Sequence, residues 1–176
     1  MTPRLRRLAL TAHVTFSVGW IGTVVAYLAL GVAATASRET RTVRAAWTGM
    51  ELIGWYVIVP LAISSLVTGL VMALGTRWGL FRHYWVVFSL VLTALSTLVL
   101  LLHMPSVSSR AAAAQRAEGP ALEALGGDLA HPAFGLVVLL VVQLLNVYKP
   151  RGMTRHGQRK QAERLAPPAR QGAVLS

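Results

Sequence analysis

Trp85–Leu102, WVVFSLVLTALSTLVLLL, runs for eighteen residues without one charged side chain. A helix needs roughly 20 mostly apolar residues to cross the hydrocarbon core of a bilayer. With only Ser89, Thr93, Ser96 and Thr97 as polar groups, the run reads as a membrane span rather than the core helix of a soluble domain. The rest of the chain arranges itself around it as three further spans and their connections.

Composition agrees with a bilayer as solvent. The 176 residues are 55% hydrophobic and only 13% charged, against about 25% charged in ordinary soluble domains. The formal charge of +11 invites nucleic acid as a partner. Position argues against it, because the basic residues stand outside the apolar runs and mostly on one side of them. The chain has no cysteine, which excludes disulfides, thiolate metal sites, iron–sulfur clusters and thiol-attached haem.

Working outward, four spans are expected at about 8–34, 47–74, 85–104 and 131–148. The first follows Arg4, Arg6 and Arg7, and Ala34-Thr35-Ala36 resembles a signal-peptide cleavage site. Signal h-regions cover about 7–15 residues, so this longer run, with His13 and Trp20 inside it, is expected to be retained as a span. Pro60 interrupts the second span and predicts a kink near Tyr56. Trp78, Phe81, Tyr84 and Trp85 match an aromatic belt at headgroup level. Pro105 is expected to end the third span, leaving Arg110–Glu118 as a short surface helix in the loop before Gly119-Pro120. Pro132 opens the fourth span and Lys149-Pro150 closes it. Residues 1–148 then form the membrane domain, and 149–176 a basic tail expected to be disordered.

The fold class is therefore all-α, a four-transmembrane-helix antiparallel bundle. Twelve of the 17 Lys and Arg fall on the side of the two termini and five on the other. The positive-inside rule places both termini in the cytoplasm of a bacterial inner membrane. The basic tail suits anionic lipid at that surface. The small-residue face Thr15, Gly19, Gly22 and Ala26 allows close helix approach, within the bundle or between copies in a homo-oligomer.

Helical phase brings candidate site residues together. Positions i, i+3/4 and i+7 share a face. In the third span this collects Ser89, Thr93, Ser96, Leu100 and His103. In the second it collects Glu51, Trp55, Ile58, Ala62, Ser65 and Gly69. Polar and small residues in membrane helices face other helices, so Glu51 and His103 are expected to meet His131 at one membrane depth, with Met50 and Met104 adjacent. Two imidazoles and a carboxylate suit a divalent metal, and nearby thioethers would favour copper. The plain alternative is three interfacial residues at helix ends, where an ionisable group costs little. At the other end His13 lies deeper, with Ser17 and Trp20 on its face and Gln143 and Asn146 at similar depth, and is the candidate cofactor-binding residue. Haem b between His13 and His83, with a second between His103 and His131, is the alternative cofactor. No phosphate loop, nucleophile–base pair or intramembrane carboxylate pair is present, so no catalytic constellation is found.

Thr68–Met104, TGLVMALGTRWGLFRHYWVVFSLVLTALSTLVLLLHM, together with the opening Ala12–Gly22, AHVTFSVGWIG, resembles an uncharacterised family of small four-helix bacterial membrane proteins. The resemblance covers about Leu8 to Leu145 and implies the four-span fold, with no established activity. His13, Trp20 and Gly22 also give a looser similarity to the membrane domain of copper-resistance D proteins, which implies copper handling. The expected function is that of an integral membrane accessory or structural protein. The alternative is a metal- or haem-binding membrane protein linked to copper handling or electron transfer.

Overall fold

The computed structural model describes residues 2–75, 82–150, 152–155 and 157–159. Its elements are α1 (Pro3–Ala36), α2 (Thr40–Ile53), a π-helical turn (Gly54–Ile58), α3 (Val59–Gly75), α4 (Tyr84–Arg116), the short α5 (Pro120–Glu123) and α6 (Ala130–Tyr148). Four helical rods are long and apolar enough to cross a membrane: α1, the α2–α3 rod, α4 and α6. They alternate in direction, so both ends of the bundle domain lie together at what we call the terminal end. The turn between α1 and α2 marks the far end.

Local chemistry sets the boundaries. Pro3 occupies the first turn of α1, where its missing N–H is no loss, and the Thr2 hydroxyl accepts from Leu5 N at 3.4 Å. In the second rod Pro60 cannot donate to a carbonyl in the preceding turn. The helix answers with the π-turn, in which Val59 N donates to Gly54 O, five residues back. Where a kink was expected near Tyr56, the rod takes an extra residue into one turn.

Pro105 does not end the third span. α4 continues through it for eleven residues to Arg116. Beyond the proline Val107, Ala111 and Ala114 are buried with Val43, Ala46, Trp47 and Met50 of α2. Arg44 of α2 then caps α4 by donating to Ala114 O at 3.1 Å and Ala117 O at 3.0 Å. Packing and capping by a neighbouring helix outweigh one lost hydrogen bond, and the expected surface helix is the last turns of α4.

The described residues at the start of the tail lie against the connection before α4. Lys149 takes a left-handed conformation (φ 45°) and turns the chain back. Tyr84 N donates to Gly152 O at 3.4 Å and Thr154 N to Arg82 O at 3.0 Å, with His83 and Met153 paired as an antiparallel bridge. Trp78 and Phe81 of the expected aromatic belt, and residues 160–176 of the tail, lie outside the described residues.

α1 packs on the α2–α3 rod and on α6, as does α4, so α1 and α4 face each other diagonally across the bundle. The core is densest in the far half, where Trp47, Met50, Met104 and Val107 are fully buried. Outer faces are apolar, with Leu8 and Val18 of α1, Phe88 and Leu95 of α4, and Phe134 and Val147 of α6 all exposed. α6 buries only Leu139, and two cavities run along its inner side. Trp20 and Leu139 line both of them. On α1, His13, Trp20 and Tyr27 follow one another at seven-residue intervals, about 10.5 Å apart on one face.

Candidate metal centre at the far end

The loop from α5 to α6 is pressed onto α1 by glycine. Gly126 (φ 53°) makes a turn that β-branched or bulky residues resist, and its carbonyl accepts from Trp47 Nε1 at 3.0 Å. Gly127 then sits on the carbonyl of Gly31, with no room for a side chain between them. A Cβ on Gly31 would come within 2.7 Å of Asp128 O. Backbone against backbone, these contacts deliver Asp128 into the bundle.

There Asp128 is only 5% exposed. One of its oxygens, Oδ2, accepts from Tyr27 Oη at 2.9 Å and from His103 Nε2 at 2.7 Å. A carboxylate can only accept, so Nε2 carries the proton in this pair. A buried carboxylate is costly unless hydrogen-bonded, and two donors serve this one. His131, in the first turn of α6, stacks on His103 with ring centroids 3.9 Å apart and planes inclined by 13°. It makes no hydrogen bond among the described residues. One potential ligand atom from each of His103, Asp128 and His131 lies within 4.8 Å of the others. Tetrahedral sites with bonds of about 2.0–2.2 Å bring ligand atoms closer than that, so a metal would require the side chains to close and His103 to give up its Nε2 proton or present its other ring nitrogen. The cluster caps one end of a cleft of about 680 Å³ walled by apolar residues such as Ile58, Leu95, Val99 and Phe134.

The structure thus brings two of the three expected ligands together and supplies a different carboxylate. Glu51 is partly exposed on α2 and does not join the cluster. Met50 belongs to the core, and the Met104 thioether lies against Gly54, where a Cβ would meet its sulfur at 2.9 Å. Asp128 and Tyr27 escape a reading by helical phase. Two signals point to them: the Asp128-x-x-His131 spacing in a chain with only six acidic residues, and the seven-residue step from Trp20 to Tyr27.

His13 occupies a separate site toward the terminal end. Its Nδ1 is 3.1 Å from Ser65 O and 3.1 Å from Thr68 Oγ1. Gln143 and Asn146 line the same cavity, but Asn146 Nδ2 donates to Val142 O and not to His13. His83 is outside that cavity's lining, paired with Met153 and with its ring centroid 6.4 Å from that of Trp85. A bis-histidine haem holds its macrocycle between two end-on imidazoles. The face-to-face stack of His103 and His131 leaves no gap for one. Of the small-residue face, Gly19 packs against Leu61 within the bundle, whereas a Cβ at Gly22 would meet open space.

Comparison with protein-family models, with curated proteins and with solved structures returns no match.

Proposed function

We propose that this is a multi-pass protein of a bacterial inner membrane that binds a divalent transition metal at its outer face through His103, Asp128 and His131. The observation that carries the reading is the buried Asp128 carboxylate, held by Tyr27 beside two imidazoles. Two nitrogens and one oxygen suit Zn²⁺ or Cu²⁺, with a fourth position left for water or a substrate atom. Tyr27 acts outside the ligand set, orienting the carboxylate as outer-shell partners do. The outward orientation of the far end rests on the twelve basic residues at the terminal side.

Zinc or copper content of the detergent-purified protein, and its melting temperature against metal concentration, test the reading. A ligand that binds only the folded state raises that temperature as its concentration rises. His131→Ala is the informative variant, because it breaks no hydrogen bond among the described residues yet removes a ligand. Metal-dependent stabilisation that vanishes in His131→Ala supports the site. Absence of any metal effect in the parent protein leaves the cluster as a structural tie between the loop, α1 and α4.

A further inference from the structure

Among the hydrogen-bonding groups that line the second cavity, of about 450 Å³ at the terminal end, two from opposite helices stand out. The first is Ser89 of α4. Thr23, Thr35, Thr48, Thr68, Thr93 and Thr97 all turn their hydroxyls back to the carbonyl four residues earlier. Ser89 is only 6% exposed, and its Oγ has no partner. An unsatisfied buried hydroxyl is costly, and Ser89 is among the residues that line the cavity, so a small shift of its side chain would offer the hydroxyl to a bound group.

The second is His13 of α1. Ser65 O can only accept, and Thr68 Oγ1, also 3.1 Å from His13 Nδ1, donates to Ser64 O at 2.6 Å, so the tautomer with its proton on Nδ1 satisfies both contacts. In the neutral ring Nε2 is then a hydrogen-bond acceptor, and no described residue donates to it. Gly69 fixes the ring's placement, since a Cβ there would approach the imidazole to 3.1 Å. α1 and α4 face each other across the bundle, so the acceptor and the hydroxyl belong to opposite walls. Trp20, Trp85 and apolar residues such as Leu66 and Leu90 line the same cavity.

A chamber lined by two tryptophans, with an acceptor nitrogen and a hydroxyl on facing helices and further polar side chains such as Gln143 and Asn146, suits a flat ring that carries several oxygens. We propose that this cavity binds the reduced headgroup of a lipid-soluble quinone, one hydroxyl donating to His13 Nε2 and the other oxygen bonding to Ser89 Oγ. A quinol has the O–H that the acceptor nitrogen requires and a quinone does not, so the site discriminates in favour of the reduced form. The inference is independent of the metal at the far end.

The test uses the full chain in nanodiscs, titrated anaerobically with decylubiquinol and separately with decylubiquinone, with melting temperature as readout and empty nanodiscs as blank. The expected result is a saturable rise with the quinol at a concentration at least ten-fold lower than with the quinone. Ser89→Ala removes a hydroxyl without a partner, so it folds, and it weakens quinol binding at least ten-fold. His13→Ala does the same, while His131→Ala leaves binding unchanged. If His13→Ala fails to fold, Ser89→Ala alone decides. No saturable shift, equal response to quinol and quinone, or full binding by Ser89→Ala overturns the proposal and leaves the cavity to water or lipid. A Soret band in the purified protein that is lost in His13→Ala overturns it in favour of haem.

Discussion

His103 and His131, from α4 and α6, lie face to face with centroids 3.9 Å apart, and only His103 reaches the carboxylate of Asp128. The stack therefore assigns different work to two residues of the same type. His103 is held by a hydrogen bond, whereas His131 is held by ring contact and keeps its nitrogens for a ligand. His131→Phe preserves a flat ring and removes both nitrogens. Its melting temperature without metal should stay close to the parent's, within about 0.5 kcal/mol of stability, while the metal-dependent rise disappears. Retention of that rise would sink the proposed ligand set.

Asp128 satisfies two donors at once, so its variants should be ordered. Asp128→Ala leaves Tyr27 and His103 both without an acceptor and should cost about 2 kcal/mol or more. Asp128→Asn keeps an oxygen for Tyr27 and should cost about half as much. Thermal melting followed by circular dichroism reads both. Equal losses would mean that the hydrogen bonds contribute little beyond side-chain packing.

Gly127 has no space for a side chain above Gly31. Gly127→Ala should lift the loop from α1, lowering stability by about 1–3 kcal/mol and weakening metal binding together. A variant with unchanged melting temperature and metal response would show that the loop is not seated as described.

At the far end, α4 is finished by a side chain from another helix. Arg44→Ala removes both hydrogen bonds to the α4 carbonyls and should cost about 1–2 kcal/mol, reduced from the buried value because the group is only partly buried. Pro105→Ala should be neutral or stabilising, since it restores a helical donor inside a helix that already continues. Marked destabilisation by Pro105→Ala would argue that the proline shapes α4 in a way straight-helix reasoning misses.

Orientation can be read chemically because the chain has no cysteine of its own. With the far end outside, Glu118→Cys should react with a membrane-impermeant maleimide in intact spheroplasts. Ser176→Cys should react only after lysis. The opposite pattern would invert the topology and place the proposed metal site in the cytoplasm.

Much of the architecture was legible because a charge-free run such as Trp85–Leu102 has few other places to go. The stop at Pro105 was misleading for a physical reason: a local signal cannot register Val43, Ala46 and Trp47, which hold the helix together beyond it. Glu51 was misplaced by counting in even steps of 3.6 residues through Pro60. The π-turn takes one more residue, so the buried stripe before it runs through Val43, Trp47, Met50 and Gly54, with Glu51 on its flank. Asp128 had no periodicity to reveal it, since backbone contact between a loop and Gly31 fixes its position. The depth of His13 could be read from its place inside an apolar run, but its neighbours could not: Gln143 and Asn146 were expected beside it, whereas its Nδ1 lies against Ser65 O and Thr68 Oγ1.

The spacing of His13, Trp20 and Tyr27 along α1 makes that helix a mechanical member common to both ends of the bundle. Each of the three is fixed to a single rigid rod, and a slide of that rod by one helical turn, about 5.4 Å, would pull Tyr27 from Asp128 and His13 from Ser65 in the same stroke. Trp20, between them, would leave the layer that separates the two cavities. The two chambers therefore share one wall-forming helix, whose register sets the geometry of both.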